Sequence, residues 1–390
     1  MKWGKVINRC LPLVNKSPTL TLTSLAKKLK REGKDVVNFA GGEPDFDTPE
    51  FIKEAAKEAL KEGFTKYTPS TGIPQLKKAI AKKINEENGF SCNEENIIVT
   101  AGAKFAIFIS LFALLNPQEE VIIPSPYWVS YPEMVKLAGG KVKILPAQEE
   151  ENFKINPSKL KALITSKTKI LILNYPNNPT GITYTKEELE EIAQIIRDSP
   201  LFVLSDEVYE KILFDNLAHT SFASLEGVRE KTITINSFSK SFSMTGWRIG
   251  FMVAPKKIVE EASKIVDHTT SCPNSLAQVA AVKALENNRD WYNFIKDTFQ
   301  KKRDLIYEKL LECPKLKLIK PQGTFYLFCN IKSTHLNSLE FSSKLLTQYL
   351  VAVIPSTGFG EDGYIRVSFA TNEENILKGA QRIKEFLAKI

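Results

Sequence analysis

A lysine surrounded by small hydroxylated residues is the first group in this sequence whose surroundings suggest chemistry. Lys240 lies in SFSKSFSMTGWRIG (237–250), with Ser237 and Ser239 before it and Arg248 after it. Serine hydroxyls and a guanidinium are good phosphate partners, and arginine can bind two oxygens at once. A lysine attacks a carbonyl group as the neutral amine, which desolvation or cationic neighbours favour. The segment therefore predicts an anion site beside a reactive lysine, although a solvated lysine next to a strand end is the alternative.

Two other places combine an apolar run with groups that could meet a ligand. Asp206 ends the run LFVLSDE (201–207), and ligands of parallel sheets collect at the carboxyl edge of the strands. It could instead cap the following turn. The residues Ala101-Gly102-Ala103-Lys104 follow IIVT and open the apolar segment FAIFISLFALL. Small residues at a helix start leave backbone N–H groups open to a phosphate, and the helix dipole favours its charge. A glycine at such a turn is weak evidence by itself.

Taken together, these segments resemble the fold-type I pyridoxal-phosphate aminotransferases, specifically the prokaryotic branch of the aspartate aminotransferase class. The resemblance runs from AGGEPDFDTPE (40–50) to YIRVSFATNEENI (364–376). Its strongest pieces are GFTKYTPSTGIPQLK, SPYWVSYPEM, NYPNNPTG, SDEVYE and SFSKSFSMTGWRIG, in the family's order and approximate spacing. The resemblance implies that Lys240 carries pyridoxal 5'-phosphate as a Schiff base.

The same resemblance assigns groups to the cofactor ring. Asp206 would pair with the pyridine nitrogen and keep it protonated, so that the ring can accept electrons. Tyr209 and Asn178 would hydrogen-bond the phenolic oxygen, although NNPTG alone would indicate a plain turn. Trp128, in SPYWVSYP, would stack on the ring face; the alternative is ordinary packing in a core or loop.

The phosphate of the cofactor has its own predicted contacts. The residues placed there are Gly102, Ala103, Lys104, Ser237, Ser239 and Arg248. Tyr67, in TKYTPS, resembles the tyrosine that reaches the phosphate of the neighbouring subunit's cofactor, and it is the main hint of a homodimer. Its alternative is an ordinary half-buried tyrosine.

The predicted substrate contacts separate reaction class from substrate choice. Arg366, in YIRVSFA, resembles the bidentate clamp on the substrate α-carboxylate, assisted by the backbone of Gly42; an exposed edge-strand arginine is the alternative. Asn178 and Trp128 would also contact the substrate. Lys104 resembles the lysine that meets the distal carboxylate of aspartate or glutamate, although it could serve only the phosphate. Thr19, in KSPTLTLT, resembles a further polar contact there.

The implied activity is amino transfer from aspartate to 2-oxoglutarate by a ping-pong mechanism. Lys240 would be both the covalent anchor and the general acid–base, for which it must be neutral when freed. Aromatic or prephenate-type donors are the nearest alternatives. A β-eliminating lyase or a cyclopropane-forming synthase would share Lys240, Asp206, Tyr209 and Arg366. A regulator that senses the cofactor would need an added DNA-binding domain, for which the sequence leaves no room.

The elements that must hold these residues can be predicted from the alternation of short apolar runs with helix-like segments. The runs at 96–100, 120–124, 141–145, 169–174, 201–207 and 232–236 predict a mainly parallel sheet covered on both faces. The family fold implied is α/β, with a seven-stranded sheet and a smaller α+β domain. We predict residues 46–290 as the large domain, and residues 1–45 with 291–390 as the small one.

Composition limits the remaining classes of function. The chain has 390 residues, 43% hydrophobic and 25% charged, and its net charge is +8. Lysines alternate with glutamates, as in KEELEEI, which indicates solvated helix faces and no nucleic-acid partner, while the positive field favours anionic substrates. Five scattered cysteines without a CxxC pair suggest neither disulfides nor a metal site. No apolar stretch is long enough to span a bilayer, so we expect a cytoplasmic protein.

Overall fold

The computed structural model describes residues 11–14 and 18–390, without the side chains of residue 11 and residues 18–21. The α-helices in chain order are α1 (Pro18–Arg31), α2 (Glu50–Lys61), α3 (Pro74–Lys83), α4 (Ala103–Leu114), α5 (Tyr131–Leu137), α6 (Pro157–Leu163), α7 (Lys186–Arg197), α8 (Phe238–Ser241), α9 (Lys256–Asp267), α10 (Ser275–Glu286), α11 (Arg289–Leu311), α12 (Ser338–Tyr349) and α13 (Glu373–Ala388).

The strands form three sheets. In chain order they are β1 (Val37–Asn38), β2 (Ile97–Thr100), β3 (Glu120–Ser125), β4 (Lys141–Pro146), β5 (Thr168–Asn174), β6 (Phe202–Asp206), β7 (Thr232–Ser237), β8 (Gly250–Val253), β9 (Lys317–Leu318), β10 (Tyr326–Asn330), β11 (Val351–Ala352), β12 (Ile354–Pro355) and β13 (Tyr364–Ser368). The largest sheet has the order β2-β8-β7-β6-β5-β3-β4, the second the order β12-β13-β10-β9, and the third pairs β1 with β11.

The seven-stranded, mainly parallel sheet confirms the predicted α/β architecture. All six apolar runs named above form strands of it, β2 to β7. The seventh strand, β8, was not identified as a strand from its pattern, and it pairs antiparallel with both β2 and β7. Strands β5 and β7 are almost wholly buried, as expected when helices cover both faces of a sheet.

The direction of the strands decides where the residues after each strand meet. Strands β3, β5, β6 and β7 are parallel neighbours. Strand β2 runs in the same direction as β7, because both pair antiparallel with β8. The carboxyl ends of all five strands therefore lie at one edge of the sheet, where open α/β sheets bind ligands.

A second body of structure packs beside this sheet. Strands β9, β12 and β13 form an antiparallel sheet with β10, and β9, β10 and β13 share a buried apolar cluster with α11 and α13. The N-terminal part of the chain joins this body, because β1 pairs in parallel with β11. The proposed division at residues 45 and 291 stays a prediction; residue 291 itself lies in the first turn of α11.

Within residues 11–14 and 18–390, none of the helices has the length and apolar character needed to cross a membrane.

Candidate active site

A cavity of about 530 Å³ opens at the carboxyl edge of the large sheet. It lies between this edge, helix α1 and strands β10 and β13 of the second body. Much of its wall consists of residues that the sequence already singled out: Gly42, Ala103, Lys104, Trp128, Asn178, Asp206, Tyr209, Ser237, Ser239, Lys240, Arg248 and Arg366. The volume is within the usual range for a small-molecule site.

Lys240 extends into this cavity from the short helix α8, which directly follows β7. The helix begins where the Ser237 hydroxyl accepts a hydrogen bond from the backbone N–H of Ser239, at 3.0 Å. The Lys240 ammonium group donates to the carbonyl oxygen of Gly42. Burial lowers the pKa of Lys240 to about 8, and the charges of Arg366 and Arg248 act in the same direction. A lysine with this pKa has an appreciable fraction of neutral amine near physiological pH.

Asp206 lies at the end of β6 and is almost fully buried. The Tyr131 hydroxyl donates to its Oδ2 at 2.6 Å, and the Val208 N–H donates to its Oδ1 at 3.4 Å. Burial raises the pKa of Asp206 to about 6. A buried carboxylate whose hydrogen-bond donors are neutral is a favourable partner for a cationic ligand group.

The side chain of Arg248 is held against the backbone at the start of α4. Its two terminal nitrogens donate to the carbonyl oxygens of Thr245, at 2.8 Å, and Ala101, at 3.3 Å. Arg248 itself has a φ of +53°, an uncommon conformation for a residue with a side chain. A Cβ at Gly102 would lie 2.5 Å from one of these nitrogens, so only glycine leaves room for the guanidinium here.

Several polar groups that line the same cavity as Arg248 could hold an anion. Helix α4 begins at Ala103, and the N–H groups of a first helical turn have no partner within the helix. The hydroxyls of Ser237 and Ser239 lie 2.8 Å apart on the same cavity wall. Hydroxyls, free amides and a guanidinium that converge in this way suit a phosphate group.

Trp128 and Lys104 contact each other on another part of the wall. The Lys104 Nζ lies 4.9 Å from the centroid of the Trp128 ring. The ring in turn packs edge-on against Tyr131, with centroids 5.3 Å apart and an interplanar angle of 82°. Desolvation and then the charge of Arg248 lower the pKa of Lys104. Lys104 is thus close enough to Arg248 to feel its charge, while its amino group stays on the face of an aromatic ring.

Arg366 is a buried guanidinium, only 6% exposed, on strand β13. It donates to Asn178 Oδ1 at 2.9 Å and to the carbonyl oxygen of Ala40 at 3.4 Å, and both acceptors are neutral. Its Nε is buried and has no hydrogen-bond partner among the described residues. Buried charges are normally paired, so this guanidinium is suited to bind an anion, which the described residues do not supply.

Tyr209 and Tyr326 complete the wall between Asp206 and Arg366. Their hydroxyls lie 3.1 Å apart, and both side chains are buried. The guanidinium carbon of Arg366 lies 4.1 Å from the centroid of the Tyr326 ring. Tyr326 therefore contacts both Tyr209, which is predicted to bind the cofactor, and Arg366, which is predicted to bind the substrate.

Three predicted site residues are not part of this wall. Gly102 directly precedes α4 and lies next to the Arg248 guanidinium, but it does not line the cavity. Tyr67 is 89% exposed, so the role predicted for it towards a neighbouring subunit stays a prediction. Thr19 belongs to α1, but its side chain lies outside the described residues.

Several residues of the wall have no role predicted from the sequence. These are Thr23, Lys27, Glu43, Tyr131 and Tyr326. Tyr131 comes one helical turn after Trp128 in SPYWVSYP, a spacing that could have suggested it. The others have no local signal, because they come from α1, from the AGGEP segment and from an apolar strand.

Comparison with known proteins identifies the family. A model of aminotransferase class I and II matches residues 34–383. The aspartate aminotransferase of Bacillus sp. (strain YM-2) is 44% identical over 95% of this chain and 96% of its own length. Aromatic-amino-acid aminotransferase 2 of Thermococcus litoralis is 42% identical over 97% of both. A structure of Thermus thermophilus aspartate aminotransferase with maleate has a TM-score of 0.94 and 40% identity, covering 97% of this chain and 99% of that chain.

The chain therefore belongs to the class I and II aminotransferase family, as its sequence predicted, and it is a transaminase.

Proposed function

We propose that this transaminase uses pyridoxal 5'-phosphate, bound covalently to Lys240, to move the amino group of an acidic amino acid to 2-oxoglutarate by a ping-pong mechanism. Aspartate is the favoured donor. The observation that supports this most is the convergence of three groups on one cavity: an amine with a pKa of about 8, a buried carboxylate, and a buried guanidinium that has no anionic partner among the described residues. They suit an aldehyde, a pyridinium nitrogen and a substrate carboxylate, respectively.

The donor set fits the cofactor. Asp206 would hold the protonated ring nitrogen, and its bond from Tyr131 fixes the carboxylate. Tyr209 has a hydroxyl for the phenolic oxygen, and the half-buried Trp128 offers an aromatic face for the ring. At the other end, Arg248 and the first turn of α4 would hold the phosphate. When bound, the cofactor supplies a ring that accepts the electrons released at the substrate Cα.

The protein's own groups would then perform the transfer. Arg366 would bind the α-carboxylate of the amino acid and fix the orientation of Cα. Lys240, freed from the cofactor, would move the proton between Cα and the cofactor carbon C4'. It must be neutral for this step, which its lowered pKa favours. A 2-oxo acid leaves after the first half-reaction, and a second 2-oxo acid receives the amino group.

The experiment that tests this function starts from the purified protein. We expect an absorbance band of bound pyridoxal phosphate that borohydride shifts, and peptide mapping should place the reduced cofactor on Lys240. A panel of donors and 2-oxo acids should then show amino transfer. Absence of the band, or a modified peptide without Lys240, would refute the covalent assignment. Release of pyruvate and ammonia from cysteine-type donors without amino transfer would favour the lyase instead.

The substrate rests on the charges at the cavity. Lys104 is the lysine that we propose for the distal carboxylate, and dicarboxylates are plausible because the Thermus thermophilus relative was solved with maleate. Relatives of nearly equal identity are named for aspartate and for aromatic amino acids, so identity alone does not decide. A second lysine, Lys27 on α1, also lines the cavity and forms no ion pair with the described residues.

A Lys104→Ala variant separates these alternatives. We expect KM for aspartate to rise about 10- to 100-fold, as for a lost hydrogen bond to a charged group, while KM for an aromatic donor changes little. Lys27→Ala tests whether the second lysine shares the role. Lys28→Ala is the matched control, since Lys28 is its neighbour on α1 but pairs with Glu32. Equal changes for both donors in Lys104→Ala would refute the carboxylate role.

Assembly and location belong to the same proposal. A homodimer would give the exposed Tyr67 a partner, namely the phosphate of the neighbouring subunit's cofactor. The four described cysteines, Cys92, Cys272, Cys313 and Cys329, are free thiols, which fits a reducing compartment such as the cytoplasm.

A further inference from the structure

Tyr326 is a buried tyrosine, 1% exposed, that touches three groups of the proposed site. Its hydroxyl lies 3.1 Å from that of Tyr209, and its ring carries the guanidinium of Arg366 at 4.1 Å. A Cβ at Gly42 would lie 3.5 Å from the same hydroxyl, so that backbone packs against it. The side chain of Tyr326 thus lies between Arg366, proposed to bind the substrate carboxylate, and Tyr209, proposed to hydrogen-bond the phenolic oxygen of the cofactor.

Strand pairing explains why these contacts occur together. In the antiparallel pair of β10 and β13, Tyr326 is opposite Ser368, and Arg366 is opposite Phe328. Tyr326 and Arg366 are therefore diagonal neighbours, which long and aromatic side chains can bridge. The ring of Tyr326 is further fixed against Phe325, with centroids 4.7 Å apart.

The direction of the hydrogen bond between the two tyrosines depends on the role of Tyr209. Burial raises the pKa of both phenols, so both carry a proton at neutral pH. An anionic phenolic oxygen is a stronger acceptor than a neutral hydroxyl, so Tyr209 would donate its hydrogen bond to the cofactor and keep its proton. The oxygen of Tyr209 is then free to accept. Among the described residues, the hydroxyl of Tyr326 has no hydrogen-bond partner other than Tyr209, so in this arrangement it would donate to the Tyr209 oxygen.

We propose that Tyr326 is a positioning residue, whose hydroxyl donates to Tyr209 while its ring supports Arg366. A hydroxyl that receives a hydrogen bond becomes a better donor, because hydrogen bonds in a chain polarise one another. Tyr326 would therefore strengthen the hydrogen bond from Tyr209 to the phenolic oxygen. This would lower the proton affinity of the nitrogen that joins Lys240 to the cofactor. This inference rests on the proposed function.

The test is a pH titration of the absorbance of the cofactor-loaded protein. Tyr326→Phe keeps the ring and removes only the hydroxyl. We therefore expect the pKa of the nitrogen that joins Lys240 to the cofactor to rise by about 0.5 to 1 unit. Tyr209→Phe should raise it more. In the Tyr209→Phe background, Tyr326→Phe should add nothing, because its effect passes through the Tyr209 oxygen.

A matched control removes another buried hydroxyl of the same sheet. Tyr364 lies on β13, and its hydroxyl donates to Glu149 at 3.1 Å, away from the cavity wall. Tyr364→Phe should leave the titration unchanged. If Tyr326→Phe also leaves it unchanged while Tyr209→Phe raises the pKa, or if the two shifts add in the double variant, the inference is overturned.

The ring has a separate expected effect. Tyr326→Leu removes the aromatic ring on which the Arg366 guanidinium packs, so KM for amino donors should rise more than in Tyr326→Phe. Equal KM values in the two variants would overturn the support of Arg366. A wild-type protein without any titrating cofactor absorbance would overturn the proposed function itself, an outcome distinct from an unshifted Tyr326→Phe titration.

Discussion

We expect a Lys240→Ala variant to lose amino transfer by about 10⁴-fold or more, because the proposed function assigns both the covalent bond and the acid–base group to this one side chain. It should still bind pyridoxal phosphate reversibly through Asp206 and Arg248. Borohydride should no longer fix the cofactor, and dialysis should remove it. Lys264→Ala, at an exposed lysine that pairs with Glu261 on α9, is the control and should behave as the wild type. Retained amino transfer in Lys240→Ala would contradict the proposed role.

The pKa of Lys240 also predicts how fast the cofactor-free protein captures pyridoxal phosphate. With a pKa of about 8, about one amine in ten is neutral at pH 7, whereas an unperturbed lysine has about one in three thousand. Only the neutral amine reacts, so the capture rate should rise about tenfold per pH unit below pH 8 and then level off. A rate that continues to rise through pH 10, measured by stopped-flow absorbance, would show an ordinary lysine.

The parts of this site that the sequence predicted share one physical feature. Asp206 ends a mostly buried strand and Lys240 comes shortly after a fully buried one, and parallel strands bring the residues at their carboxyl ends to one sheet edge. Local pattern therefore singled out two residues that the structure brings to one cavity, while their chemical roles stay a prediction. The assignment of Lys104 and Arg366 needed the family resemblance, because a lysine at a helix start or an arginine in a strand has several ordinary roles.

The residues that the sequence analysis missed depend on contacts across long chain separations. Tyr326 opens an apolar strand and looks like core; only the pairing of β10 with β13 brings it to Arg366. Lys27 looks like any lysine of a solvated helix, and only the packing of α1 over the cavity gives it a site. The interpretation of helix lysines as solvated does not hold for Lys83, which is 5% exposed.

Lys83 belongs to a buried polar network directly behind the active-site loop. Its ammonium group pairs with Glu210 and donates to Asn88 Oδ1 at 2.6 Å, and Asn88 Nδ2 donates to Glu210 Oε2 at 2.8 Å. Burial opposes the charges, but Lys83 holds the pKa of Glu210 well below its usual range. Glu210 is the next residue after Tyr209 in the chain, so this network anchors the loop that carries Tyr209.

Removing one member of this pair is expected to cost far more than removing both. A Glu210→Leu variant leaves the Lys83 charge buried and unpaired, which should lower the free energy of unfolding by about 3–5 kcal/mol. The double variant Lys83→Met with Glu210→Leu should recover more than half of that loss, because apolar groups can replace a buried pair at little net cost. Denaturation followed by tryptophan fluorescence measures both.

The same double-mutant comparison on the exposed pair of Lys264 and Glu261 is the control. Solvent screens such a pair, so the coupling between its two substitutions in the free energy of unfolding is small. If the changes in the free energy of unfolding caused by Lys83→Met and Glu210→Leu simply add, the two residues are not coupled. Their position behind Tyr209 would then be ordinary packing. Strong coupling would mean that the loop that holds Tyr209 is fixed by a charge pair whose members are far apart in the sequence. A single substitution at either position would then weaken the site without touching any group that meets the substrate.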